Sequence, residues 1–352
     1  MRLPSVDIFT CREPACLYST VASNIPLPTS PSTSRVAAPS TLTAMQQLVQ
    51  DALNTSNLGA QATERVEGQF HHIQLAKLAD GDALMIKYPS NHNIRLLRHE
   101  RQTLEAEYRT TSILREFTQL PVPEIVDYDG HGSVFGSPYL LTARTPGQRL
   151  SEALPYTSIT EKNSIDRMLG SVVCTLASLT SPRFGPIHEV SGGNGSDSWR
   201  ETFLGMLEAA LQDAEDMLIT LPYEFLRQRV GQHRSSLDHI TVPRLVAFDI
   251  CDPENVLVDE DTKQITCLMG LSNSIWGDPL MSDVVANGSD DFCRRYEDSF
   301  PCEEDAQVRR SIYAVYRAVV QIVAHHYRPY SGIDELEARR SMTHALNELA
   351  HE

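Results

Sequence analysis

The sequence predicts an α+β fold. A small antiparallel sheet with one helix comes first, and a mostly helical part carrying one short hairpin comes last. Three observations predict it. Strand-like runs at residues 68–78 and 83–88 flank a turn made of Ala79, Asp80, Gly81 and Asp82. Helical periodicity takes over later, with Ile165, Leu169, Val172, Val173, Leu176 and Leu179 spaced for one face of a helix. Two β-branched runs, 256–258 and 265–269, stand either side of an acidic turn at Asp259, Glu260 and Asp261.

Taken in order, residues 1–43 are rich in Ser, Thr and Pro and offer little apolar surface to bury, so they are expected to form a disordered leader. Arg2, Arg12 and Arg35 would suit a targeting segment, but Asp7 and Glu13 interrupt it and no Arg-rich amphipathic helix is present. A helix is expected at 45–53, then the two strands and a helix at 96–117. Pro121 and Pro123 end that helix and lead into a strand at 124–128. Residues 137–147 read as a strand closed by a Pro146-Gly147 turn. Ser158 with Glu161 three residues on has the spacing of a capping box for a helix at 158–179. Gly192, Gly193 and Gly195 invite comparison with a phosphate loop. No Lys-Ser/Thr follows and no strand precedes, so a surface connection is expected. Ser198 caps a helix at 199–218, another covers 223–233, and the last helices are expected at 290–296, 303–326 and 333–351.

Bulk properties exclude several classes. The formal charge is −16, and a general nucleic-acid or anionic-membrane binder needs a basic face. No uncharged apolar run approaches the ~20 residues that span a bilayer. The seven cysteines show no CxxC or Cys/His ligand spacing, which fits reduced thiols in a cytoplasmic protein better than a disulfide framework or a zinc site. Asp290, Asp291, Glu297, Asp298, Glu303, Glu304 and Asp305 make the region after the hairpin acidic. They suit solvated helix starts, or a wall that meets a cationic ligand.

Two further stretches carry a resemblance. Asp249 to Asn255 reads DICDPEN, and Ile265 to Pro279 reads ITCLMGLSNSIWGDP. Together with the run from Glu107 through the Pro-Val-Pro motif to Asp129, they resemble the aminoglycoside phosphotransferase and choline kinase-like family in its fungal form. The resemblance covers about residues 45 to 352 and implies a two-lobed, protein-kinase-like fold. Residues 44–146 would form a nucleotide-binding lobe built on a small antiparallel sheet. Residues 147–352 would form a helical lobe carrying the catalytic hairpin. It also implies roles for particular residues. Lys87 would hold the nucleotide phosphates and Glu107 would pair with Lys87. Thr142 and Ala143 would mark the backbone that meets the adenine edge. Asp249 would orient or deprotonate an acceptor hydroxyl, and Asn255 would help hold Mg²⁺.

The departures from the family pattern fall on the chemistry. Asn255 lies six residues after Asp249 instead of five. The family's metal-binding Asp falls on Gly270, and the His commonly found two residues before the catalytic Asp falls on Ala247. Asp252, three residues before Asn255, is the candidate replacement ligand; its alternative role is an Asx turn with Pro253. ATP and Mg²⁺ are therefore the cofactors implied, and a small molecule is the expected ligand. The sequence supports a divergent member that binds nucleotide with weak or lost phosphotransfer. The alternatives are an active small-molecule hydroxyl kinase with a rebuilt metal site, and a pocket turned to chemistry unrelated to ATP.

Overall fold

A computed structural model describes residues 62–67, 71–78, 83–89, 95–133, 136–282, 284–285, 288–297, 305–329 and 332–352. The expected leader and the helix at 45–53 lie outside these residues, as does Gly68. Five antiparallel strands form the first sheet, in the order β1-β2-β3-β5-β4. They are β1 (Ala62–Glu67), β2 (His71–Lys77), β3 (Ala83–Pro89), β4 (Ile125–Asp129) and β5 (Tyr139–Ala143). Helix α1 (Thr103–Phe117) packs against this sheet between β3 and β4. Alternation along β3 explains how the sheet works. Leu84 and Ile86 are buried in a small core with Leu141 and Tyr139. Met85 and Lys87 therefore share the opposite face of the strand.

The second part is mostly helical: α2 (Ile159–Ser178), α3 (Trp199–Asp216), α4 (Tyr223–Gln232), α5 (Asp290–Glu297), α6 (Ala306–Tyr327) and α7 (Glu335–His351). Two small sheets are set among them. Strands β6 (Gln148–Arg149), β9 (Val256–Val258) and β10 (Ile265–Leu268) form one, and β7 (Gly185–Pro186), β8 (Arg244–Ala247) and β11 (Ser274–Gly277) form the other. The expected hairpin is β9–β10. Ser158 caps α2 in a full capping box, and Ser198 caps α3 by accepting the Glu201 N–H. The main hydrophobic core lies in this part, with Trp199, Phe203 and Tyr313 among its largest fully buried side chains.

The Gly192–Gly195 region is a surface connection as expected, preceded by a short helix, Ile187–Ser191, and closed by the Arg183 guanidinium donating to Gly195 O at 2.7 Å. Two differences from the sequence expectation have physical causes. Strand β11 was not expected, because all four of its residues are buried and leave no alternation to read. Helix α1 begins at Thr103, later than expected, because residues 98–100 form a separate 3₁₀ turn.

That turn joins the two lobes. Glu100 takes a bidentate pair from Arg328 at 2.8 and 2.7 Å, and Arg328 also donates to Arg95 O. Arg98 pairs with Asp213 and, at 2.9 Å, with Asp216. Arg95 lies 4.6 Å over the Tyr327 ring, and the Tyr327 hydroxyl donates to Asp213 O. The entry to α1 is thus fastened to the C-terminal ends of α3 and α6. Glu100 and Arg328 are nearly buried, so this pair escapes most of the solvent screening that weakens surface pairs.

Candidate functional site

Lys87 on β3 and Glu107 on α1 form a direct ion pair, with little of either side chain exposed. The strand's period of two turns Lys87 off the sheet core, and the packing of α1 against β3 brings Glu107 to meet it. His71 stands close by, its ring within 3.2 Å of Thr103 Oγ1. Burial lowers the pKa of His71, with Lys87 acting in the same direction and Glu107 against it.

Across the sheet from Met85 stands Thr142, and Leu140 stands across from Lys87. Thr142 therefore shares the Lys87 face. It is buried, and its Oγ1 has no hydrogen-bond partner among the described residues. Ala143 follows it on β5. Its N–H already donates to Glu124 O at 2.8 Å, and the next N–H, of Arg144, donates to Ala83 O at 2.9 Å.

The second cluster lies on the loop after β8. Asp249 is half-buried, and its pKa is pushed up to about 6, first by burial and then by the nearby charge of Asp252. A hydrogen bond from Asn273 works against that rise. Asp252 is exposed, and its Oδ1 accepts the Glu254 N–H at 2.9 Å. Its backbone N–H returns to Asp249 O, while Asn255 N–H bonds to Asp252 O. Asp252 thus makes the Asx turn with its Oδ1. Asn255 Nδ2 donates to Asp249 O at 2.9 Å, which leaves its Oδ1 as the oxygen open to a cation. The extra residue between Asp249 and Asn255 is absorbed by this turn, so the two remain adjacent.

Gly270 closes the other side of the cluster. Its φ is +71°, a backbone region that favours glycine. A Cβ there would fall 2.6 Å from Asn255 Nδ2 and 2.6 Å from Asp249 O. The position faces the Asp249–Asn255 loop, but it is filled by that loop and offers no room for a side chain. Cys267, three residues earlier, is buried and accepts a hydrogen bond from Thr145, and the Lys87 charge acts on its thiol. The hairpin therefore lies within electrostatic reach of Lys87. Ala247 is a buried residue of β8.

Beside Asp249 opens a cavity of ≈ 430 Å³. Asp249 and Asp252 line it, together with Tyr316, Arg317, Val320 and Gln321 of α6. His99, from the 3₁₀ turn, also reaches it. Burial lowers the pKa of His99, keeping the ring neutral at physiological pH. Sequence reasoning missed His99, Asn273 and the α6 residues, since only tertiary contacts bring them together. Asp278 is a brace: its carboxylate accepts from Tyr313 at 2.8 Å and from Arg309 at 3.0 Å, all three buried. Tyr313 in turn accepts from Trp199 Nε1.

The two implied cofactors fare differently against these residues. A nucleotide fits, because the Lys87–Glu107 pair is formed and the buried Thr142 hydroxyl lacks a partner on the same face. A divalent cation is offered less: Asp249 and Asn255 share one loop, and Gly270 adds no oxygen ligand from its side chain. Mg²⁺ favours an octahedron of oxygens, usually anchored by carboxylates. Among the described residues no group of three or more His, Cys, Asp or Glu side chains is arranged to hold a metal ion.

Comparison with known proteins adds the following. A sequence model described as the phosphotransferase enzyme family matches residues 93–300. No curated protein matches the chain. Among solved structures, one assigned as a fructosamine-3-kinase of Haemophilus somnus 129PT superposes with a TM-score of 0.60 at 17% identity, covering 87% of this chain and 97% of that one. Aminoglycoside phosphotransferase APH(4)-Ia, a thermostable mutant in ternary complex with AMP-PNP and hygromycin B, gives 0.60 at 15% identity, over 88% and 100%. Aminoglycoside 2'-phosphotransferase-IIIa with GDP gives 0.57 at 14% identity, over 87% and 99%. Likenesses this remote establish the fold, which is the two-lobed kinase-like one. Among the described residues no helix is long and apolar enough to cross a membrane.

Proposed function

Since the chain belongs to the phosphotransferase enzyme family, we propose that it binds a nucleotide between its lobes and transfers phosphate weakly or not at all, serving as a binding protein for a small molecule. The observation that carries this is Gly270. The position that the resemblance gives to the metal-binding Asp has a left-handed backbone and is packed by Asn255 and Asp249. Metal and cationic stabilisation dominates phosphoryl transfer, and losing one such donor typically costs ~10²–10³ in rate. In this proposal Lys87 holds the phosphates, Glu107 orients Lys87, and Thr142 meets the base from the back of the cleft. The polar backbone beyond Arg144 replaces Ala143 N–H as the adenine contact. The two lobes are proposed to meet near residue 147.

A second reading keeps favour through Asp249. Its pKa of about 6 lies near the range suited to a general base at neutral pH, and a cavity of substrate size adjoins it. This is the active hydroxyl kinase with a rebuilt metal site, using Asp249 and Asn255 Oδ1. Thermal-shift titration with ATP, run with and without Mg²⁺, separates the two. The proposal expects a shift that Mg²⁺ barely changes and no phosphate release. A shift that needs Mg²⁺, with transfer to an added alcohol, would establish the active kinase instead. No shift in either condition would remove both.

A further inference from the structure

We infer that the cavity beside Asp249 takes a neutral hydroxylated ligand with an apolar face, and not a polycation. The inference rests on the functional reading above, since it takes this cavity to be the ligand end of a kinase-like site. The wall chemistry is the ground for it. Phe248, Pro253, Val284 and Val320 are only partly buried by the fold and line the cavity. Tyr316 adds the body of an aromatic ring. Such walls reward apolar surface at roughly 25 cal/mol per Å² removed from water. Uncharged polar groups stand beside them: Asn273 and Gln321 can hydrogen-bond, Tyr316 carries a hydroxyl, and burial lowers the pKa of His99.

Charge points the same way. A polycation needs a carboxylate or equivalent acceptor for each ammonium it buries. The only carboxylates lining the cavity among the described residues are Asp249 and Asp252. One Asp252 oxygen is already occupied by the Glu254 N–H. Arg317 also lines it, donating to Met281 O at 3.2 Å, and its charge repels an ammonium. The acidic stretch that would favour a cation lies elsewhere in its described part. Asp290, Asp291 and Asp305 do not line the cavity, and Asp305 faces His239 at 3.5 Å. A hydroxyl directed at Asp249, with a ring against Phe248 and Val320, suits both the acidic and the apolar parts of these walls.

The test is ligand-observed saturation-transfer NMR on the full chain. One arm is a panel of neutral hydroxylated fragments: tyrosol, 4-hydroxybenzyl alcohol and cyclohexanemethanol. The other arm is kanamycin. Val320→Glu sets a charge on the apolar wall, and Gln321→Glu adds one at an exposed position where folding is not at risk. Expected is binding of at least one panel member, weakened roughly tenfold by Val320→Glu, the scale of a buried apolar contact replaced by charge. Kanamycin should bind measurably only after Gln321→Glu or Val320→Glu. Tighter binding of kanamycin than of the panel to the unaltered chain would overturn the inference, and so would silence from the whole panel. The ATP titration stays independent of this outcome. A panel hit without any ATP shift sinks the nucleotide reading alone, and an ATP shift with kanamycin preferred sinks this inference alone.

Discussion

At the scale of single residues, Gly270 and Asp249 set the behaviour of the site. From sequence, replacing Gly270 by Asp should supply a missing oxygen ligand. The structure reverses that expectation. A left-handed backbone costs a non-glycine residue roughly 1–2 kcal/mol, and a Cβ at 2.6 Å from Asp249 O must also push the loop away. Gly270→Asp should therefore lower the melting temperature by several degrees and leave Mg²⁺ dependence of ATP binding unchanged. A gain in Mg²⁺-dependent affinity without loss of stability would contradict this. Asp249 gives a second prediction. Its pKa is raised in the fold, from 3.8 to about 6, so the folded chain binds the proton more tightly than the unfolded one. The stabilising effect of that proton is fully present below pH ~4 and is lost as pH rises through about 6. The whole shift is worth at most roughly 3 kcal/mol. Asp249→Asn should then melt higher than the parent at pH 7.5, and the two should converge toward pH 4. Melting curves across that range, equal at every pH, would remove the argument.

At the scale of elements, one buried pair joins β3 to α1. Removing one partner of such a pair leaves the other charge stranded, at a cost of about 3–5 kcal/mol. Lys87→Met should be strongly destabilising and abolish the ATP shift. The double variant Lys87→Met with Glu107→Gln should recover much of the stability and none of the ATP shift. Denaturant melts with ATP titration of both variants check this. The pair was expected because the run from Glu107 through Pro-Val-Pro resembles the family, and the resemblance carried both residues over. The hairpin and the capped helices α2 and α3 were legible from the residues themselves, since turn and cap chemistry are local. Strand β11 was not, being buried on every side. The Asx turn at Asp252 was legible as an option, and only the Glu254 N–H decided it.

At the scale of the whole molecule, the Glu100–Arg328 and Arg98–Asp213 pairs tie the entry of α1 to the helical lobe. No sequence signal marks them, because their partners lie 228 and 115 residues apart. Arg328→Ala should strand Glu100, cost on the order of 3 kcal/mol, and speed amide exchange along α1 more than along α4. Hydrogen exchange resolved by helix reads this directly, and equal acceleration in both helices would mean that the pair supports general stability and not the lobe junction. The cavity walls belong to this scale as well. Asp249, His99 and Tyr316 come from three separate parts of the chain, so their chemistry was invisible until the fold assembled them.

The packing around Gly270 bears on how this lineage can change. A vacant ligand position would be one amino-acid replacement from a restored metal site, and selection could refill it at any time. Here Asn255 and the Asp249 carbonyl have settled into the space. Each first step toward restoration, whether at Gly270 or in the loop, meets a cost before any benefit appears. On the proposed reading the change behaves as a ratchet: reversal needs coordinated substitutions on both sides of the site, and descendants of this chain are held to whatever binding role replaced transfer.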